Sequence, residues 1–234
     1  MGPEASNGEA RYRVVHRIVY RFAEAVRDVT LDLRLSPDDG PGRVIEHHQL
    51  IVDPLPLRLT ERLRDANRNL FARAELAGAL RTLEIAAVTT VRARAPASDP
   101  VAVSSLEAQL AQAGVRAPSP GPASGRCRAL TEDTIARLRA IGVEAAYVSG
   151  YLLPSVDGRT DAHAWVSVAV PAAGAEAGAW LDFDPSLHEL AGARHIRLAR
   201  GHGYDDVAPV LGALSGRGPF QLESVVHVER LRAG

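Results

Sequence analysis

The sequence contains no lysine. All 27 basic residues are arginine, set against 28 acidic residues for a net charge of −1. Clustered basic patches are missing as well, so no electrostatic reason exists to expect a nucleic acid or an anionic membrane as partner. The all-arginine set reads as GC-rich coding bias rather than phosphate recognition. It also leaves the chain without a side-chain amine for cross-linking to itself. The single cysteine, Cys127, excludes an internal disulfide framework and any multi-cysteine zinc or iron–sulfur site. No run approaches the roughly 18 apolar residues of a membrane-spanning helix, and the N-terminus lacks the basic-then-apolar order of a signal peptide. A cytoplasmic protein that enters no membrane is the expectation. Met1-Gly2-Pro3-Glu4-Ala5-Ser6 matches a myristoylation pattern only loosely. His47, His48, His188, His195 and His202 match no compact ligand spacing, and adjacent strand residues such as His47 and His48 point to opposite faces. Neither a metal nor another cofactor is therefore expected.

What is present is an ordinary globular composition, 46% hydrophobic and 24% charged over 234 residues, enough for one large domain or two small ones. Residues 1–10 are small and polar and read as a disordered tail. Residues 11–96 have β texture. Tyr12–Phe22 mixes β-branched and aromatic residues, Val29–Leu35 alternates, and further strands are expected at Val44–Asp53, Leu57–Arg64, Leu70–Ala77 and Arg81–Arg94. These predict a β-sandwich-like N-terminal domain. Residues 97–124 change character: a short helix near Ser105–Gln112 precedes Pro118, Pro120 and Pro122, which suit a linker and not a helix or central strand. The second part, residues 125–234, opens with a helix over Cys127–Ile141, stopped by Gly142. Strands follow at Glu144–Leu153, Ala162–Val170 and Trp180–Asp184, with a turn at Ser155–Arg159 and a loop at 171–178. The fold class expected is α+β.

Three residues carry candidate chemistry. Cys127 falls in the first turn of its helix, where unpaired N–H groups lower a thiol pKa and one of them can serve an oxyanion. As an isolated observation, a single cysteine is more often a buried small hydrophobe. His163 shares a strand face with Trp165 and Ser167. If the loop covers residues 171–176, Val170 pairs with Ala177, and His163 then lies directly opposite Asp184, where a carboxylate can orient an imidazole. A one-residue slip would put the two on opposite faces. Asp182 shares the Asp184 face and is the substitute. Arg126 and Arg128 flank the thiol and could raise its thiolate character, although solvated surface charge is the plainer reading. Trp165 is a candidate cleft wall, against the commoner role of core residue.

These motifs, taken in order, resemble the bacterial transglutaminase-like family, in a superfamily that also contains cysteine peptidases. Gly125-Arg126-Cys127 before a helix, Tyr147-Val148-Ser149-Gly150-Tyr151-Leu152, His163-Ala164-Trp165-Val166 and Phe183-Asp184-Pro185 are similar to family motifs. His195-Ile196-Arg197 and Gly203–Pro209 resemble its tail, while Arg34-Leu35-Ser36-Pro37 and the Asp65–Asn69 turn resemble its N-terminal β domain. The resemblance implies a transglutaminase-like (papain-like) α+β core, with an antiparallel sheet packed on the nucleophile helix. It implies Cys127 as nucleophile, His163 as base and Asp184 as orienter. The activity implied is cysteine acyl transfer on a protein or peptide substrate, through a thioester resolved by water or an amine, without metal. Two features depart from the family: the segment before the cysteine is short, and Ala129-Leu130-Thr131-Glu132 replaces the usual Asp-Phe-Ala-His. The alternative they raise is a catalytically degenerate scaffold or binding module.

Overall fold

The computed structural model describes all residues except 1–8, 41, 95–98, 119–125, 154–157, 161, 173–174, 217 and 232–234. Gly125 and most of the proline-rich linker therefore lie outside the described residues, as does most of the expected tail. Ala10, the last residue of that tail, already belongs to a strand.

The first strand, β1 (Ala10–Leu33), organises everything that follows. Next come β2 (Arg43–Asp53), β3 (Arg58–Arg64), β4 (Leu70–Leu76) and β5 (Leu80–Ala93). The sequence reads two strands at 12–22 and 29–35; the structure makes them one. Its first half pairs with β5 and its second half with β4, and bulges between Arg21 and Val26 mark the change of neighbour. Bulges bend a strand and sharpen its twist. The curled sheet closes on a core of Ile18, Val29, Leu31, Leu33, Leu50, Val52, Leu83 and Ile85.

Helices α1 (Pro100–Gln112) and α2 (Arg126–Ala140) follow. The helix expected at 105–112 begins earlier because Asp99 caps it, accepting a hydrogen bond from the Val101 N–H (3.0 Å), with Pro100 in the first turn. A second sheet then forms from β6 (Ala145–Leu152), β8 (Ala162–Ala172), β9 (Ala175–Asp184), β10 (Glu189–Leu190) and β11 (His195–Gly201), in the order β10-β9-β8-β6-β11. Between β6 and β8, the short β7 (Gly158–Thr160) leaves this sheet to pair with the last strand. After β11 the chain runs through α3 (Tyr204–Val207), β12 (Val210–Ser215) and β13 (Phe220–Leu231).

Residues 210–231, read from sequence as part of the second region, return to β1: β12 pairs with its second half and β13 with its first. Among the described residues strand makes up 59% and helix 16%, so the fold is mostly β, with curled sheets in place of the expected α+β balance and plain sandwich.

One side of the second sheet, through Tyr147, Ala164, Val166, Val168 and Phe183, takes Leu106 and Leu110 of α1 and Ile135 and Leu138 of α2. Tyr151, Leu153, Ile196 and Leu198 meet Val14, Val91, Val226 and Val228 of the first sheet. At that junction the buried His16 ring bonds Tyr151 Oη (3.2 Å) and Ser224 Oγ (2.9 Å), and burial lowers its pKa to about 4. No described helix is long and apolar enough to cross a membrane.

Gly150 sits where β6 passes the Trp165 indole. A Cβ there would collide with the Ile196 carbonyl oxygen and lie 2.5 Å from the indole. Neither a backbone carbonyl nor a fully buried ring can move aside cheaply. Gly150→Ala is expected to destabilise the protein by about 3 kcal/mol or more. Urea denaturation measures this, and a change below about 1 kcal/mol would contradict the packing described.

Candidate active site

Helix α2 packs across β6 and β8 and carries Cys127 in its first turn. There the half-buried thiol lies beside the His163 ring near the start of β8, close enough for the imidazole to lower its pKa. His163 Nε2 donates to Asp184 Oδ2 at 2.6 Å, so Nδ1 is the nitrogen left for the thiol. The three residues singled out from the sequence therefore meet.

They do so in a register different from the expected one. Val166 pairs with Phe183 and Val170 with Ala179, which puts Asp184 opposite Trp165 and diagonal to His163. The displacement is two residues and enters at an irregularity between Val170 and Ala172: at the loop end Ala172 still pairs with Ala175, in the expected register. An even shift preserves the face. A diagonal neighbour remains within reach of a long side chain.

Asp184 is fully buried and accepts five hydrogen bonds. Oδ2 receives His163 Nε2 and His195 Nε2 (3.0 Å), while Oδ1 receives the Ser186 N–H (2.8 Å), Ser186 Oγ (2.7 Å) and the Leu187 N–H (3.3 Å). Burial pushes this carboxyl up, but the bonds from His163, His195 and Ser186 outweigh it and hold the pKa well below the carboxylate range. Burial likewise opposes the His163 cation, yet the Asp184 and Cys127 contacts raise its pKa from 6.5 to about 9. For Cys127, burial pushes upward and is overcome by His163 and by the N–H groups of Ala164 and Arg128, so the thiol lies below its ordinary value. The balance favours a thiolate–imidazolium pair.

His195 was not read from the sequence as a member of this cluster. Its Nδ1 accepts from the Gly192 N–H (3.2 Å), which fixes the Nε2–H tautomer that donates to Asp184. No periodicity pointed to it; its place in the tail motif was the available signal. Among the described residues, His163, Asp184 and His195 form the one group able to offer three ligand atoms to a metal. However, Asp184 Oδ2 lies 2.6 and 3.0 Å from the two imidazole nitrogens. Ligands sharing a tetrahedral zinc stand about 3.3 Å apart, so the present spacing is that of hydrogen bonding.

The remaining candidates are placed differently. Trp165 is fully buried, its indole 5.2 Å from the His195 ring and its Nε1 donating to Asp182 (3.1 Å). It underlies the cluster and is not an exposed cleft wall, because its strand face packs inward. Asp182 thus serves Trp165, not His163. The Arg128 guanidinium is committed to Glu132 (2.9 Å) and to the Tyr204 face (4.0 Å), and only its backbone N–H addresses the thiol. Arg126 opens α2 and is half-buried.

The raised His163 pKa and the lowered Cys127 pKa have a consequence for stability. A raised histidine contributes stability below about 6.5 that fades as pH rises through its folded pKa. Where Cys127 hands its proton to His163 in the wild type, the proton gained by one is lost by the other and the two contributions largely cancel. Cys127→Ala leaves the histidine term unbalanced. Its unfolding free energy is expected to decline from about pH 6.5 upward while that of the wild type stays nearly flat. Parallel profiles in denaturant titrations would contradict the proton transfer.

The chain is similar to several known proteins. Residues 12–92 match the bacterial transglutaminase-like N-terminal region, and residues 76–185 match the transglutaminase-like superfamily core. An uncharacterised protein of Mycobacterium leprae is 36% identical over 118 residues, covering 45% of this chain and 39% of its own length. Uncharacterised proteins of Mycobacterium bovis and Mycobacterium tuberculosis are 39% identical over 97 residues, covering 38% of this chain and 31% of theirs. The chain thus spans well under half the length of these relatives. A crystal structure described as "a Putative Cysteine Protease" from Cytophaga hutchinsonii superposes with a TM-score of 0.65 at 17% identity, covering 98% of this chain and 93% of that one. The two overlapping matches, which together span residues 12–185, put this chain with the bacterial transglutaminase-like proteins.

Proposed function

We propose that the protein is a cysteine acyl-transfer enzyme acting on a carboxamide or peptide bond. The observation that carries this reading is the half-buried Cys127 thiol beside an imidazole whose far nitrogen is held by a buried carboxylate. In the proposed cycle the Cys127 thiolate attacks the carbonyl carbon. The protonated His163 gives its proton to the departing nitrogen as the C–N bond breaks, leaving a thioester and a neutral imidazole. Water or an amine then attacks the thioester, His163 takes the proton from it, and the thiolate leaves. Asp184 keeps the ring in the required tautomer and stabilises its cationic form without being protonated itself. The cycle needs no metal and no other cofactor.

The alternative, a degenerate scaffold, draws on Ala129-Leu130-Thr131-Glu132, which replaces the family's usual residues after the cysteine. Of these, Thr131 is buried against the core and Glu132 is bound by Arg128, so none of the observed contacts of this turn reaches His163. A scaffold relieved of catalysis also has no need for a reachable thiol set against a cationic imidazole.

The test is thiol acylation by an activated-ester probe at neutral pH. Wild type is expected to label much faster than a free thiol, Cys127→Ala not at all. His163→Ala should label at least about a hundredfold more slowly, since the largest influence opposing burial of the thiol is then lost. Equal labelling of wild type and His163→Ala would falsify the proposal.

A further inference from the structure

A cavity of about 530 Å³ opens between the Asp65–Asn69 turn, the last turn of α2, and the strands β6, β9 and β11. It is far from the thiol. Cys127 and Arg139 lie near opposite ends of α2, about 18 Å apart at the rise of an α-helix. Three guanidiniums line it, those of Arg68, Arg139 and Arg200, against the single carboxylate of Glu144.

The three arginines are not equivalent. Arg139 is spent on structure: it donates to the carbonyls of Ala145 (2.8 Å) and His202 (2.8 Å) and to His202 Nε2 (3.1 Å). Because Arg139 can only donate, His202 Nε2 is an acceptor there and the ring carries its proton on Nδ1. Arg200 lies with its guanidinium carbon 4.3 Å from the centre of the Trp180 ring, so its face is covered and its N–H edges remain. Among the described residues, neither Arg200 nor Arg68 donates a guanidinium hydrogen bond to the protein. Burial and the nearby Arg197 charge lower the Arg200 pKa against the opposing charges of Asp182 and Glu144.

The wall that carries Arg68 is built with care. Asp65 accepts from the N–H groups of Asn67 and Asn69 and from the nearly buried Arg34 Nε (3.1 Å). Asn69 in turn exchanges two hydrogen bonds with the Arg200 backbone, at 2.9 and 2.8 Å. The turn is thereby pinned to β11. Arg68 itself has φ of 66°, a left-handed conformation in which glycine is the default and a long side chain is strained. Arg68 thus holds a costly backbone conformation while lining a cavity beside a second arginine.

We propose that this cavity binds an oxyanion, a carboxylate or phosphate carried on a small molecule or chain end, held between the Arg200 and Arg68 guanidiniums. The edge of a guanidinium stacked on an aromatic ring matches either group with paired N–H donors. His202 and the exposed Asn67, both able to donate hydrogen bonds, also line the cavity. The volume exceeds what a bare ion needs and lies within the range of small-ligand pockets. This site is independent of the thiol chemistry proposed above.

Isothermal titration of the full chain with inorganic phosphate and, separately, with acetyl-diglutamate tests the idea at low salt. Saturable binding of either, with a change in Trp180 fluorescence, is expected. Phosphate alone would make the site one for free or esterified phosphate; the peptide alone would make it one for carboxylates. Arg200→Gln and Arg68→Gly should each weaken binding by about tenfold or more. Arg68→Gly should also unfold at the same temperature as wild type or higher, because glycine accepts the positive φ. Cys127→Ala should bind as wild type does, which keeps a failure here distinct from a failure of the acyl-transfer reading. No saturable binding of either anion, or undiminished binding in either arginine variant, overturns the proposal.

Discussion

A carboxylate sealed from water stays ionised only if donors take up its lone pairs. Asp184 is such a group. Its five hydrogen bonds come from three directions: the backbone and side chain of its own turn, His195 on β11, and His163 on β8. Because the first two sources satisfy most of it, the negative charge is fixed in place before His163 is considered. The imidazole then meets a stationary anion that raises its pKa, and the imidazole in turn lowers that of the thiol at the head of α2. The chemistry of the cluster is therefore set by a residue that need not touch a substrate.

The mostly β architecture is what lets these groups converge. β8 supplies His163 and Trp165 from one face and Ala164, Val166 and Val168 to the helices from the other. One strand thus anchors α2 and presents the imidazole. Trp165 fills the space beneath, and Gly150 leaves room for it. The first sheet backs this unit through the His16–Tyr151 contact and the apolar cluster around it. The return of β12 and β13 to β1 binds the end of the described chain to its beginning, so strands beyond both family regions complete the sheet of the first.

Much of this was legible in the sequence, for physical reasons. Alternation placed the strands at 44–53, 57–64, 70–77 and 81–94 close to where they lie, and the helix from Cys127 was marked by its apolar spacing and by Gly142. Face parity survived an error in the loop, since a shift of two residues leaves His163 and Asp184 on the same side. Other features depend on long-range pairing that no local pattern encodes. The continuity of β1 through Ala23–Asp28 follows from its change of partners, not from propensity. The pairing of 210–231 with β1 and the role of His195 were hidden for the same reason. Asp99-Pro100, by contrast, was a readable helix start that went unused. The Arg34 and Asp65–Asn69 motifs, read only as a resemblance, prove to be one connected set of bonds reaching β11.

The most direct measurement of the account is the ultraviolet absorbance of the Cys127 thiolate as a function of pH, in wild type and in Asp184→Asn. If the buried carboxylate sets the charge of the pair, wild type retains its thiolate well below the free-thiol value of about 8.5, and the asparagine variant, still folded, moves the transition to that value or above it. Superimposable curves for the two proteins would contradict the account, since the thiol would then owe nothing to Asp184.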